Sequence, residues 1–495
     1  MTGFRYRDDL LVIVSAVILR LVFWHLQADA DPLFQRPIAD EATYMEDARR
    51  WAGAGFSMAG LSLPFWQPPA YLFLLGGWLG VGGSADAFLL LQGLLGVATS
   101  WLVYRTTLRA FGPAARGWAL AGGIFYSLCP AVLYYETKWL KPAWTLFLLA
   151  LLLQLHYPRG KPGPAWLRGL LTGLLALFDA YFIALLPILA LREGRRPARW
   201  LALLAGCALP VLPVLALNAT ATRDWVPFSY NGPVNLYVGN NTNWVQTYNS
   251  LPGWEWEQIT RRFDHDPASA GRDAAFHSHL FTREVGHYLQ DDPLAWLRGL
   301  GAKALLLASP RDLPRDGYLM MPSLVRWLGW AANLALLALA VLALPRIRRG
   351  PLLAGTLLLV TLVGLVFFPT TRYRLAAIPV LLVAAGSLHP WSERGRRYRM
   401  LGLGTALVLG VVGAVAAHRL VDYPAWRSFS YNEAAWLNLE RGDPATAGRQ
   451  ARQALVHKRL PMALNTSGQL IMGGGGDSRQ AQALFEEAIR VDPTL

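Results

Sequence analysis

Leu10 to Gln27 reads LLVIVSAVILRLVFWHLQ, and soon after it the chain continues Pro37-Ile38-Ala39-Asp40-Glu41-Ala42-Thr43-Tyr44. The first stretch is close to the roughly 20 apolar residues needed to cross a bilayer as a helix. The second sets two adjacent carboxylates beyond it, too far from its polar end to act as membrane anchors. A second apolar series opens after Trp66-Gln67-Pro68-Pro69-Ala70-Tyr71. The pattern predicts an all-α, polytopic membrane protein with an acidic pair in its first outside loop.

Composition agrees. Of 495 residues, 54% are hydrophobic and 16% charged, against about 25% charged in soluble proteins. A mean hydropathy of +0.29 leaves room for substantial polar segments between the spans. Cys129 and Cys207 both lie in apolar runs and read as small hydrophobic residues, with no disulfide or zinc spacing. The net charge of +14 does not point to nucleic acid, because the arginines cluster at the ends of apolar runs, where the positive-inside bias places them.

Apolar stretches occur at about 10–27, 86–104, 117–135, 139–156, 166–177, 179–191, 199–217, 322–344, 351–368, 375–389 and 400–417. The fifth and sixth are short enough to form one re-entrant pair. Basic residues set the orientation: Arg5 and Arg7; Arg105, Arg109 and Arg116; Arg159, Lys161 and Arg168; Arg192, Arg195, Arg196 and Arg199; Arg346, Arg348 and Arg349; Arg394, Arg396, Arg397 and Arg399. All fall on one side if the chain makes about eleven crossings from a cytoplasmic N-terminus. The first run lacks a clear cleavage site and reads as a retained helix. Residues 1–417 then form a transmembrane domain. Its outside segments are 28–85, 135–138, 218–321 and 369–374, and a tail at 418–495 follows.

Within 28–85, Asp40 to Trp51 reads as a short amphipathic helix and Pro69 to Gly83 as an interfacial one. In the tail, Gly442-Asp443 recurs as Gly476-Asp477, and Ala447 and Ala454 match Ala481 and Ala488 at the same offset. A helix-turn-helix period of about 34 resembles the tetratricopeptide repeat. Trp436 and Phe485 fill only part of its aromatic pattern. Two units are too few for a free-standing solenoid, so they are expected to pack on the last span or on another chain.

Asp40 is the leading chemical candidate. A carboxylate at the interface suits a general base or a ligand holding a cation against a phosphate; the plainer alternative is a helix N-cap. Glu136, at the outer end of the third span, would join a carboxylate cluster with Asp40 or be an ordinary loop residue. Lys141 would meet an anionic head group or snorkel. Arg372 and Arg374 stand outside against the positive-inside bias, and arginine suits bidentate phosphate recognition. The run Asn231 to Asn241 combines amides, glycine turns and Tyr237, which suits sugar hydroxyls and rings as well as a hydrogen-bonded turn cluster. Lys303 lies on a helix expected to face a head group. His265, His277, His279 and His287 read as solvated loop residues. The chain has no phosphate-binding Gly-Lys-Ser/Thr loop, no Gly-x-Ser-x-Gly elbow and no His pair with zincin spacing.

In this order and topology the motifs resemble the multi-span GT-C glycosyltransferases, near bacterial members of glycosyltransferase family 39. That group includes protein O-mannosyltransferases and the aminoarabinose transferase acting on lipid A. The resemblance spans about residues 8–390. It rests on Pro37 to Glu41, Gln67 to Tyr71, Tyr135-Glu136, Asn235 to Asn241 and Arg372-Tyr373-Arg374-Leu375. It implies inverting transfer of a sugar from an undecaprenyl-phosphate donor to a protein, lipid or glycan acceptor, at the periplasmic face of a bacterial inner membrane. Asp40 would be the base. Glu41, Glu136, Arg372 and Arg374 would lie around phosphate, acceptor or metal. Gln67, Tyr71, Lys141, Asn235, Tyr237, Asn240 and Lys303 would contribute to substrate binding. Metal dependence varies among relatives, so a divalent cation is left unassigned. The chain departs from the pattern at Leu177-Phe178-Asp179-Ala180-Tyr181. Competing readings are a polyprenyl-lipid flippase, which predicts charges within spans, and a polysaccharide ligase or polymerase, which does not need the early acid pair. The tail suggests a protein partner.

Overall fold

A computed structural model describes residues 2–157, 163–264, 274–313, 320–347, 350–388 and 393–492. Arg159, Lys161, His265, Arg348 and Arg349 lie outside the described residues. Those described are helical with no strand. The body begins with α1 (Thr2–Ala30), α2 (Asp40–Gly53), α3 (Ala70–Gly80), α4 (Ala85–Phe111), α5 (Arg116–Leu128) and α6 (Pro130–Glu136). It continues through α7 (Pro142–His156), α8 (Ala165–Phe178), α9 (Leu185–Glu193) and α10 (Pro197–Ala221). The large polar insertion holds α11 (Gly232–Gly239), α12 (Trp244–Asn249), α13 (Trp254–Thr260), α14 (Ala274–Asp291) and α15 (Pro293–Ala308). Then come α16 (Ser323–Ile347), α17 (Pro351–Val366), α18 (Thr371–Arg374), α19 (Ala377–Ala384) and α20 (Glu393–Leu420). The tail is α21 (Tyr423–Glu440), α22 (Pro444–His457), α23 (Pro461–Gly473) and α24 (Ser478–Val491).

Every apolar run forms helix, but they differ in reach. Five stretches are long and apolar enough to cross a membrane: Tyr6–Ala30, Ala85–Phe111, Pro197–Ala221, Ser323–Ala343 and Arg399–Leu420. A sixth is added if α5 and α6 act as one span. That run is bent by 56°. Pro130 offers no amide hydrogen and disfavours a helical Cys129, which is extended at φ −77°, ψ 105°. The helices α7, α8 and α17 have 15, 14 and 16 residues. At about 1.5 Å per residue they are shorter than the roughly 30 Å hydrocarbon layer. Leu10, Leu21, Leu201, Leu209, Leu324, Val408 and Val411 lie on exposed apolar faces of the long helices, as a lipid-facing surface requires.

The bundle has two poles. One gathers the start of α1, the end of α4 and the start of α5. There Arg116 pairs with Asp8 at 2.6 Å and Arg105 with Asp9 at 3.1 Å. The other pole gathers the end of α1, the α2–α3 loop, the end of α6, the Pro369–Arg374 segment and the insertion. Side-chain size sets a close helix contact. A Cβ on Gly169 would strike the Leu203 carbonyl, and one on Gly206 the Trp166 carbonyl. The α8–α10 pair thus packs backbone against backbone, as small residues permit in apolar surroundings.

The tail forms two helical hairpins. Asp443 and Asp477 accept hydrogen bonds from the Thr446 and Arg479 amides, both at 2.9 Å, so each Gly-Asp ends one helix and caps the next. The repeated alanines Ala447, Ala454, Ala481 and Ala488 are buried. The tail does not rest on the last span alone: Trp426 and Phe429 form a buried cluster with Leu251 of the insertion, and Ile38 of the first loop packs against it.

Candidate functional site

Asp40 is the first residue of α2. The cap position is Ala39, which has no side-chain acceptor and adopts φ 48°, ψ −122°. This conformation is unfavourable for a residue with a Cβ, by roughly 1–3 kcal/mol. With that cap, the Asp40 carboxylate is turned to tertiary partners. Gln67 Nε2 donates to Oδ1 at 3.0 Å, and Arg372, 332 positions away, donates to Oδ2 at 2.8 Å. The Asp40 side chain stays 47% exposed. The Gln67 amide oxygen is buried and accepts no hydrogen bond among the described residues, so an acceptor beside Asp40 lacks a donor.

Glu41 faces inward. Its carboxylate accepts the Trp139 amide at 3.1 Å and is buried. Among the described residues no three His, Cys, Asp or Glu side chains cluster as metal ligands would. Glu41 accepts a backbone amide while Asp40 accepts a guanidinium, a donor set that does not favour a cation. Asp40, Glu41 and Lys138 line a pocket of about 40 Å³ that Pro252, Trp426 and Ser430 complete. This space suits a hydroxyl or a water, and a larger group would reach Asp40 from its exposed side.

Arg372 owes its place to a single turn. The Thr370 hydroxyl accepts the Tyr373 amide at 3.2 Å, opening α18. Arg372 then points to Asp40, while Arg374 turns the other way and donates to the carbonyls of Ser309 at 2.6 Å and Arg311 at 3.0 Å. Next to Arg372 is a narrow cleft lined also by Lys141, Asp179 and Tyr181. Lys141 pairs there with Asp179 at 2.6 Å and donates to the Phe178 carbonyl. The divergent Leu177–Tyr181 turn therefore adjoins the Arg372 side chain. Buried Tyr44 is close to both acids: burial first, then the charges of Asp40 and Asp179, push its phenol well above the usual range.

Other expected residues are placed elsewhere. Glu136 forms a two-point pair with Arg20 of α1 at 2.7 and 2.8 Å, in place of a carboxylate cluster with Asp40; a buried acid at the bundle wall finds its cation on the neighbouring helix. Tyr71 is buried against Tyr44 and donates to Gln92 Oε1 at 3.0 Å. Gln92 in turn donates to the carbonyls of Glu136 and Lys138, at 3.0 and 2.8 Å. These two residues shape the floor below the acid pair. Asn240 is a buried staple: its amide donates to the Leu236 and Val366 carbonyls, and its oxygen accepts from Trp296 and Lys303. That uses its four hydrogen-bonding positions, leaving none for a sugar. Lys303 does not face a head group. It is buried, donates to Asn240 at 3.1 Å and the Leu365 carbonyl at 3.0 Å, and burial lowers its ammonium pKa to about 7. Asn235 donates to the Asn231 carbonyl at 2.9 Å. Tyr237 packs on Phe281 and lines a separate open groove shared with the tail.

Sequence reasoning missed three things. Arg20 was visible as a charge inside an apolar run, a recognised flag. The Lys138–Asp31 pair, buried at 3.2 Å, and the tail residues Trp426 and Ser430 beside Asp40 had no local signal. No protein-family model matches this chain, and no curated protein matches it.

Proposed function

We propose that the chain is a membrane-embedded glycosyltransferase that moves a sugar from a polyprenyl-phosphate donor to an acceptor, with inversion and with Asp40 as the base. The observation that carries this reading is the meeting of Asp40 and Arg372, held with Gln67 at the edge of an apolar bundle. In the proposed step, an acceptor hydroxyl or amine gives its proton to Asp40 as its heteroatom attacks the anomeric carbon. The bond from that carbon to the phosphate oxygen breaks, and the phosphate leaves with the electron pair. Arg372 offsets the charge developing there. The unpartnered Gln67 oxygen accepts a donor from acceptor or sugar. A lipid donor gives a reason for embedding the catalyst, since its tail stays in the bilayer.

The same proposal includes about eleven crossings of a bacterial inner membrane and a periplasmic Asp40 pole. It also reads the tail as a tetratricopeptide-like pair that binds a protein. A flippase is the second reading, favoured by the Arg20–Glu136 pair within the apolar helices. Turnover separates the two. Purified protein in lipid nanodiscs is given a panel of undecaprenyl-phosphate sugars and candidate acceptors, and release of undecaprenyl phosphate is measured. Release from one donor, lost in Asp40→Asn, is the expected result. Undiminished release in Asp40→Asn would sink the base assignment, and donor translocation without release would favour the flippase.

A further inference from the structure

A groove of about 710 Å³ lies between the ends of α16 and α20 and the first tail hairpin. Arg311, Arg326, Arg419 and Arg427 line it, together with the carboxylates of Asp312 and Asp422. Both carboxylates have other partners, although Oδ2 of Asp312 accepts no hydrogen bond among the described residues. Asp312 faces Arg374 at 4.0 Å and accepts from Asn333 at 3.1 Å. Asp422 pairs with Lys458 at 2.5 Å and caps the Ala425 amide at 3.0 Å. Arg311, Arg419 and Arg427 thus share a groove whose two acids have other partners, while Arg326 donates to the Met321 carbonyl at 3.0 Å. Like charges gathered in one groove repel unless an anion joins them.

The arginines are also presented for a ligand. Arg311 lies over the rings of Trp330 at 5.1 Å and Tyr423 at 5.9 Å, which fixes its plane. Arg427 Nε is buried and has no hydrogen-bond partner among the described residues. Planar, forked guanidinium groups suit phosphate oxygens. The groove opens next to apolar surface: Leu324, Trp327 and Leu328 of α16 and Val412 and Val415 of α20 are exposed. Tryptophan in this position is typical of the bilayer interface. The groove belongs to the Asp40 pole, where α16 begins and α20 ends, yet it is arginine-rich. On the expected topology this runs against the positive-inside bias, so the charge needs a local reason.

We propose that this groove binds the phosphate of an anionic membrane phospholipid, which ties the tail to the membrane end of the body. The ligand bridges Arg427 of the tail and Arg311 and Arg419 of the body. The inference is independent of the reaction proposed at Asp40, because none of these arginines contacts that site.

The test uses the full chain in a neutral detergent and counts bound lipid by native mass spectrometry during titration with phosphatidylglycerol or phosphatidylcholine. The native chain should prefer phosphatidylglycerol. The Arg419→Gln/Arg427→Gln variant should bind it at least about tenfold more weakly, with phosphatidylcholine binding unchanged. Arg195→Gln/Arg196→Gln removes two exposed charges at the other pole and should leave affinity intact. Equal affinity in the groove variant and the native chain overturns the proposal, as does an equal loss in the control variant. Inorganic phosphate that binds as tightly as the lipid would replace the lipid by a free anion. Should the groove variant melt early, the native chain still decides: no preference for phosphatidylglycerol overturns the inference.

Discussion

Replacing Glu136 by glutamine removes the charge from a two-point ion pair inside the bundle. Glu136 accepts two charge-assisted hydrogen bonds from Arg20, at 2.7 and 2.8 Å, with only 3% of the Glu136 side chain and 11% of the Arg20 side chain exposed. Stripping one partner from a buried pair costs about 3–5 kcal/mol, because the other charge stays buried and uncompensated. Arg20 keeps its bonds to Ser127 at 2.8 Å and to the Ala16 carbonyl at 3.0 Å. The loss should therefore sit at the lower end, about 3 kcal/mol. The double variant Arg20→Met/Glu136→Leu removes both charges and should recover most of that loss, since apolar replacement of a whole buried pair is often neutral. Equilibrium unfolding in mixed micelles of native, single and double variants gives the coupling energy directly. Turnover should follow stability and return in the double variant. If Glu136→Gln unfolds like the native chain but loses turnover, Glu136 belongs to the chemistry and the structural account fails.

Asp40→Asn should behave in the opposite way: turnover lower by about 10²–10⁴-fold, as for loss of a general base, and stability changed by under about 1 kcal/mol for a half-exposed pair. A matching loss of stability would point to a structural acid. Lys303 makes stability depend on pH. Its ammonium loses the proton near pH 7 when folded but near 10.4 when unfolded. Between these values the unfolded chain holds the extra proton, so stability should rise with pH, by about 2 kcal/mol from pH 7 to 9. Lys303→Met should flatten that slope, and an unchanged slope in the variant would remove Lys303 as its cause. Gly206→Leu should force α8 from α10, because its side chain would meet the Trp166 carbonyl and the Leu170 amide. A loss of about 3 kcal/mol is expected, read by the same unfolding assay; native stability would refute the backbone contact.

The long helices were legible because length and apolarity are local properties. Leu10–Gln27, the run around 86–104 and the run around 400–417 each contain enough apolar residues to read as a span. The stretch at 117–135 reads as one run, whereas the structure divides it at Pro130 into α5 and α6. The tail was legible for a similar reason: two Gly-Asp turns with matched alanines fix a helical hairpin from nearby residues alone. Shorter runs were harder, since the sequence around 166–191 does not say whether α8 and α9 cross, re-enter or stop within the layer.

At the site, Asp40 and Arg372 were each visible as misplaced charges, but not their contact. Lys303 and Asn240 were misread because an ammonium and an amide near a membrane surface suit a ligand as well as a buried staple; only packing against Leu365 and Trp296 distinguishes them. The sequence by itself determined where the long apolar helices form and where basic charge flanks them, since both follow from neighbouring residues, but not that Gly232–Gly239 is helical. Tertiary structure alone decided which charges meet: Arg20 with Glu136, Lys141 with Asp179, Arg372 with Asp40. Electrostatic pairing depends on distance in space, and a chain that folds back on itself brings together partners separated by hundreds of positions.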